Sequence, residues 1–155
     1  KDSVSHLALS DCPKIDSAMC ISLNQLYKLE CLYMSNSTIS NDQLFQLLSN
    51  FPHNKLMDLS LMNCNQLTNT TEAIHTISTY CSKILALNLY GLPVTDKGVY
   101  YLKRLKNLNR LRMSTSHLLT EKGDQYLHEL ENLIYLKTRS LREMSNRIEM
   151  RFQRP

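Results

Sequence analysis

The sequence predicts an α/β solenoid of about six strand–helix repeats, with the strands aligned in one parallel sheet on the concave side of a curved array. Three observations lead there. An apolar pattern with gaps of two residues and then one recurs six times at nearly constant spacing. A small polar or thiol residue follows most copies at a fixed distance, and a helix-starting residue with a helical apolar stripe follows each turn. A unit such as Ile84 to Leu105, ILALNLYGLPVTDKGVYYLKRL, cannot bury both its strand and its helix alone. It is stable only between similar neighbours.

The strand triplets are Val4/Leu7/Leu9, Leu29/Leu32/Met34, Leu56/Leu59/Leu61, Ile84/Leu87/Leu89, Leu108/Leu111/Met113 and Leu133/Leu136/Thr138. Their first positions, Val4, Leu29, Leu56, Ile84, Leu108 and Leu133, follow one another at nearly even steps. Five triplets are wholly apolar and the sixth departs only at Thr138. Eight residues after each first position the chain must turn inward, and a small side chain able to hydrogen-bond is expected there. Cys12, Ser37, Cys64 and Ser116 fit, whereas Leu92 and Leu141 do not. With Gly91 and Pro93 beside Leu92, the turn of the fourth repeat is expected to differ locally.

Each helix has a start signal. Ser40 with Gln43 three residues on forms a capping box, Thr68, Thr95 and Thr120 take equivalent places, and Asp16 or Ser17 serves the first repeat. The apolar stripes that follow are Leu23 and Leu26; Leu44, Leu47 and Leu48; Ala73, Ile74 and Ile77; Val99, Leu102 and Leu105; and Tyr126, Leu127 and Leu130. Their helical spacing marks them as core.

The two ends differ from the middle. Nothing ahead of Val4 can cover the first coil, so the expectation is a fragment of a longer chain, or an end covered by another segment or partner. The array is expected over residues 1–140, followed by a basic capping segment over 141–155. There Leu141 and Met144 start a short helix, and Ile148, Met150 and Phe152 alternate with polar residues as in a closing strand. A helix throughout is the alternative, because Leu141, Met144, Ile148 and Phe152 also share a helical face.

Composition narrows the function classes. At 155 residues and 43% hydrophobic content the chain is long and apolar enough for a core, and it lacks both an 18-residue apolar run and a secretory signal pattern, so a soluble protein of the cytoplasm or nucleus is expected, with no membrane partner. Five cysteines without a C-x-x-C pair, and five histidines scattered singly, argue for reduced thiols and against zinc. The net charge of +4 is uneven. Residues 1–136 hold 12 Lys+Arg against 12 Asp+Glu, and residues 137–155 hold six against two.

No serine elbow, phosphate-binding loop, zinc-protease motif or nucleophilic cysteine motif is present, so no enzyme, catalytic residue, cofactor or metal is expected. Cys31 is the one cysteine expected on the concave side, and no basic group is fixed beside it in sequence.

Residues between the buried positions of a strand face the opposite side, here the concave surface. That surface is small and neutral at its N-terminal end and carries Tyr33, Met62 and Tyr90 in the middle. Arg110, Arg112, Tyr135, Lys137 and Arg139 follow at the C-terminal end. Tyrosine and arginine dominate interface energies, and arginine grips carboxylate or phosphate with two parallel hydrogen bonds. These eight residues are the expected partner-binding set, and an acidic or phosphorylated segment beside an apolar anchor is the expected ligand. The alternative is that the arginines are only solvated surface charge. Nucleic acid is the competing partner through Arg142, Arg147, Arg151 and Arg154, but the repeat body is neutral and aromatic residues are not interleaved with basic ones in the sequence.

The units LSDCPKID, LSLMNCNQLTN and LNLYGLPVTDKGVYYLKRLKNL resemble the cysteine-containing leucine-rich repeats of F-box/leucine-rich-repeat proteins, and similar short repeats occur in mitochondrial assembly factors. The resemblance covers residues 4–140 and implies a leucine-rich-repeat horseshoe segment. It also implies a non-catalytic recognition role, holding a substrate for ubiquitin ligation on the repeat arc. A separate F-box ahead of the repeats would bind the ligase adaptor, and no F-box-like segment is visible in these 155 residues. The alternative implied by the same repeats is an assembly or scaffold factor with no ligase link.

Overall fold

The computed structural model describes residues 4–51, 55–114 and 116–139. Among these residues six strands alternate with five helices: β1 (His6–Ala8), α1 (Ser17–Leu23), β2 (Cys31–Tyr33), α2 (Asn41–Ser49), β3 (Asp58–Ser60), α3 (Thr70–Tyr80), β4 (Ala86–Pro93), α4 (Asp96–Leu102), β5 (Arg110–Ser114), α5 (Glu121–His128) and β6 (Tyr135–Arg139). The strands form one parallel sheet in the order β1-β2-β3-β4-β5-β6. His6 pairs with Cys31, Cys31 with Asp58, Asp58 with Ala86, Ala86 with Arg110 and Arg110 with Tyr135. The pairing reproduces the apolar spacing of the sequence step for step. The expected cap over residues 141–155 lies outside the described residues.

Differences in repeat length are absorbed on the helical side. The two longest repeats contain α2 and α3, of 9 and 11 residues, whereas α1, α4 and α5 have 7, 7 and 8. In the short repeats the last expected helical leucine lies beyond the helix. Leu26, Leu105 and Leu130 belong to tight turns in which each leucine amide donates to the carbonyl three residues back, Leu105 N to Leu102 O at 2.9 Å and Leu108 N to Leu105 O at 3.0 Å. A three-residue apolar period thus carries the chain from helix to strand.

Helix starts are linked in series. Asp16, Ser40, Thr95 and Thr120 cap as expected, and Ser40 with Gln43 forms the reciprocal capping box. Thr68 does not cap; Asn69 does, its side chain accepting from Glu72 N at 3.2 Å. The choice follows from Asn41, the first residue of α2, whose side chain holds both Asn69 N (3.1 Å) and Asn69 O (2.7 Å). Thr71 and Thr95 hydroxyls then meet at 2.7 Å, and the Asp96 carboxylate accepts from Thr120 N (2.8 Å) and Thr120 Oγ1 (2.6 Å). Each cap contributes on the order of 1 kcal/mol, and the links tie that gain to the position of the neighbouring coil.

The core runs unbroken between sheet and helices, from Ile15 and Cys20 to Leu133 and Leu136. Val4 departs from its expected place in a buried triplet. It is 38% exposed, because β1 is the outermost strand of the described sheet and no described coil covers it. At the other end Thr138 is buried, so the polar departure in the sixth triplet still faces the core.

In the described turns two consecutive positions matter. At the second, Cys64 Sγ donates to Met34 O of the preceding coil at 3.0 Å, and Ser116 Oγ donates to Val94 O at 2.8 Å. In the first four repeats the first position is left-handed. Asp11, Asn36, Asn63 and Gly91 have φ of 58°, 58°, 56° and 83°, a region that asparagine, aspartate and glycine tolerate best. Asn36 Nδ2 donates to Asp11 Oδ1 (2.9 Å) and Asn63 Nδ2 to Asn36 Oδ1 (3.0 Å), forming a ladder that ends at Gly91. A Cβ on Gly91 would occupy the place of Asn63 Oδ1. In the fourth repeat the strand register shifts between Leu89 and Pro93, the local difference expected around Leu92.

Candidate functional site

Strand register sorts the concave side chains into rows. The first row across the sheet is His6, Cys31, Asp58, Ala86, Arg110 and Tyr135. The second, two residues further along each strand, is Ala8, Tyr33, Ser60, Asn88, Arg112 and Lys137. Neighbours within a row are about 4.8 Å apart. The second row runs from small or neutral residues to Arg112 and Lys137, whereas the first carries the acidic Asp58 on β3, the basic Arg110 on β5 and Tyr135 on β6.

Two hollows lie over these rows. The larger, of about 540 Å³, is lined by Tyr33, Asp58, Ser60, Ala86, Leu87, Asn88, Arg110, Arg112 and Tyr135. The second, of about 390 Å³, is lined by Met62, Asn88, Tyr90, Arg112, Lys137 and Thr138. Asn88 and Arg112 belong to both and form the divide. Seven of the eight expected partner-binding residues are thereby placed. Tyr33, Arg110 and Tyr135 line the first hollow, Met62, Tyr90 and Lys137 the second, and Arg112 both. Arg139 lies in β6 opposite Ser114, and its side chain is outside the described atoms.

Asp58, Ser60 and Asn88 are among the lining residues that were not singled out in the sequence. The signal was available, since each occupies an inward strand position, but none is a residue type that announces an interface. Tyr33 Oη donates to Asp58 Oδ2 at 3.4 Å, and burial, followed by the Asp58 carboxylate and Cys31, pushes the Tyr33 hydroxyl up to about 12. It remains a protonated donor at neutral pH. Arg110, Arg112, Tyr135 and Lys137 are exposed, and among the described residues no carboxylate lies within 4 Å of the two arginines. Their donors are open to an incoming group.

Aromatic and basic residues do interleave, but on the convex side. Tyr100 and Tyr126 rings pack at 5.3 Å and His75 on Tyr101 at 4.6 Å. Lys103 Nζ sits over Tyr100 and Tyr126 and bonds Glu129, while Arg104 and Lys97 lie over Tyr101. Lys97, Tyr100, Tyr101, Lys103 and Arg104 lie in one short stretch of the fourth repeat, and Lys103 with Tyr126 extends the cluster to the fifth. Each of these cations already has partners in its own chain, which distinguishes them from Arg110 and Arg112.

Among the solved structures that resemble this chain are two internalins. Internalin C2 from Listeria monocytogenes str. 4b F2365 aligns with a TM-score of 0.63 and 22% identity, covering 87% of this chain and 51% of that one. An internalin (inlF) from the same strain aligns at 0.52 and 14%, covering 87% and 41%. The fold is a leucine-rich-repeat solenoid. The array spans about half the length of the internalin chains, and at these identities the likeness extends to architecture alone. No protein-family model and no curated protein sequence matches the chain. Among the described residues no helix is long and apolar enough to cross a membrane.

Proposed function

We propose that the concave face of this solenoid is a non-catalytic recognition surface for another protein, centred on the hollow between Tyr33 and Tyr135. The partner contributes an acidic or phosphorylated segment to Arg110 and Arg112, with Lys137 beside them and the tyrosines as apolar anchors. One observation carries this reading: two arginines on adjacent inward positions of β5 stand exposed, with no carboxylate partner among the described residues, at the wall of a hollow flanked by tyrosines. Arginine held this way is suited to two-pronged binding of carboxylate or phosphate.

The test is quantitative affinity purification with wild-type protein, an Arg110→Glu/Arg112→Glu variant, and Lys83→Glu on the turn ahead of β4 as a charge-reversal control. Partners held by the concave face are expected to be lost by more than about tenfold in the double variant, since each charged hydrogen bond is worth roughly 1.5–3 kcal/mol, and to be retained by the control. If every partner survives the double reversal, the arginines are surface charge only. A role in ubiquitin-ligase substrate recognition rests on the sequence resemblance to F-box/leucine-rich-repeat proteins. Recovery of the small F-box adaptor in the same purification separates that role from a scaffold with no ligase link.

A further inference from the structure

The first concave row changes sign within two strands. Asp58 on β3 and Arg110 on β5 flank Ala86 on β4, which places their backbones about 10 Å apart. All three line the same hollow, with Arg112 one inward step along the strand from Arg110. Ala86 is 8% exposed and forms a low floor, while Tyr33 and Tyr135 rise at either end. Among the described residues no cation lies within ion-pairing distance of Asp58, whose one side-chain neighbour by hydrogen bond is the neutral Tyr33 hydroxyl. The hollow therefore offers one open anionic site and one open cationic site with an uncrowded gap between them.

Resting on the concave-face recognition just described, we propose that this hollow takes an extended segment of a partner protein bearing both charges. A lysine or arginine meets Asp58, an acidic or phosphorylated residue two strand spacings further on meets Arg110 and Arg112, and the residues between lie over Ala86. The order of charges fixes the direction in which the segment crosses the strands, cationic end toward β3 and anionic end toward β5. Reversing the two charges on the ligand would set like against like at both ends, so the site discriminates by polarity and not only by net charge.

Isotope-labelled protein titrated with blocked synthetic peptides tests this by NMR. Each peptide carries one lysine and one phosphoserine separated by one to six serine or glycine residues. The expected result is amide shifts at residues 58, 86, 110 and 112, strongest for the peptide whose charges are set two strand spacings apart. Replacing lysine by norleucine should weaken binding by up to about fivefold, the range of an exposed ion pair, and that difference should vanish in Asp58→Asn. This variant keeps an acceptor for the Tyr33 hydroxyl, so loss of the difference reports charge and not a disturbed wall. If the norleucine peptide binds wild type equally well while phosphate is still required, the two-charge proposal is wrong and anion recognition by the arginines stands. If removing the phosphate changes nothing, or shifts avoid residues 110 and 112, the concave-face reading fails as well.

Discussion

Replacing Gly91 by alanine is expected to destabilise the array by about 2–3 kcal/mol, from two separable sources. Gly91 has a φ of 83°, where a Cβ costs about 1–2 kcal/mol. The same Cβ would collide with Asn63 Oδ1, so Asn63 must turn away and give up its 3.0 Å bond to Asn36, worth about 1 kcal/mol. With a urea slope of about 2 kcal/mol/M, the unfolding midpoint followed by circular dichroism should fall by roughly 1–1.5 M. Asn63→Ala in the same chain removes the collision, so the double variant should be less destabilised than the sum of the singles by about 1 kcal/mol. Gly91→Asn should cost less than Gly91→Ala, because asparagine tolerates the left-handed region better, although its Cβ meets Asn63 Oδ1 in the same way. A midpoint for Gly91→Ala within error of wild type, or strict additivity with Asn63→Ala, would refute this account of the turn.

Two further sites probe the links between coils. Partial desolvation works against ionisation of Asp96, but hydrogen bonds from the Thr120 side chain and backbone and from Gly123 N–H, aided by Lys122, outweigh it and lower its pKa. Its contribution to stability is therefore complete near neutral pH and fades as pH falls through the ordinary aspartate range, about 3.9, toward the lower folded value. Urea midpoints measured across that range should show a shallower acid decline in Asp96→Asn than in wild type. At the buried turn thiol, Cys64→Ser keeps a donor for Met34 O, and Cys64→Val does not. The valine variant is expected to be the less stable of the two by about 1 kcal/mol in the same urea assay; equal stabilities would show that the bond to Met34 is dispensable.

The sheet was legible in the sequence because strand register in a solenoid is the same quantity as the spacing of buried leucines. Once Leu32, Leu59, Leu87, Leu111 and Leu136 are aligned, Cys31, Asp58, Ala86, Arg110 and Tyr135 must share a row. The helix ends were less legible, since Leu26, Leu105 and Leu130 fit both a helical stripe and a three-residue turn period. Thr68 and Asn69 are both able to cap, and the choice between them is made by Asn41 in another repeat. The left-handed residues were marked by Asp, Asn, Asn and Gly at 11, 36, 63 and 91, one place ahead of Cys12, Ser37, Cys64 and the exceptional Leu92. Within the site, tyrosine and arginine stood out by type. Asp58 and Asn88 acquire their importance only from what the register sets beside them.

The helical side of the array takes up repeats of unequal length without disturbing the strand rows, and this separates two kinds of mutational freedom. An extra residue in a convex helix lengthens that helix and leaves the opposite face as it was, whereas one inserted between a buried leucine and its strand would invert every inward side chain of that repeat. Insertions should therefore be tolerated on one side and single substitutions on the other. A ligand preference built on rows of half-exposed residues can be rewritten one position at a time, with the buried scaffold left unchanged.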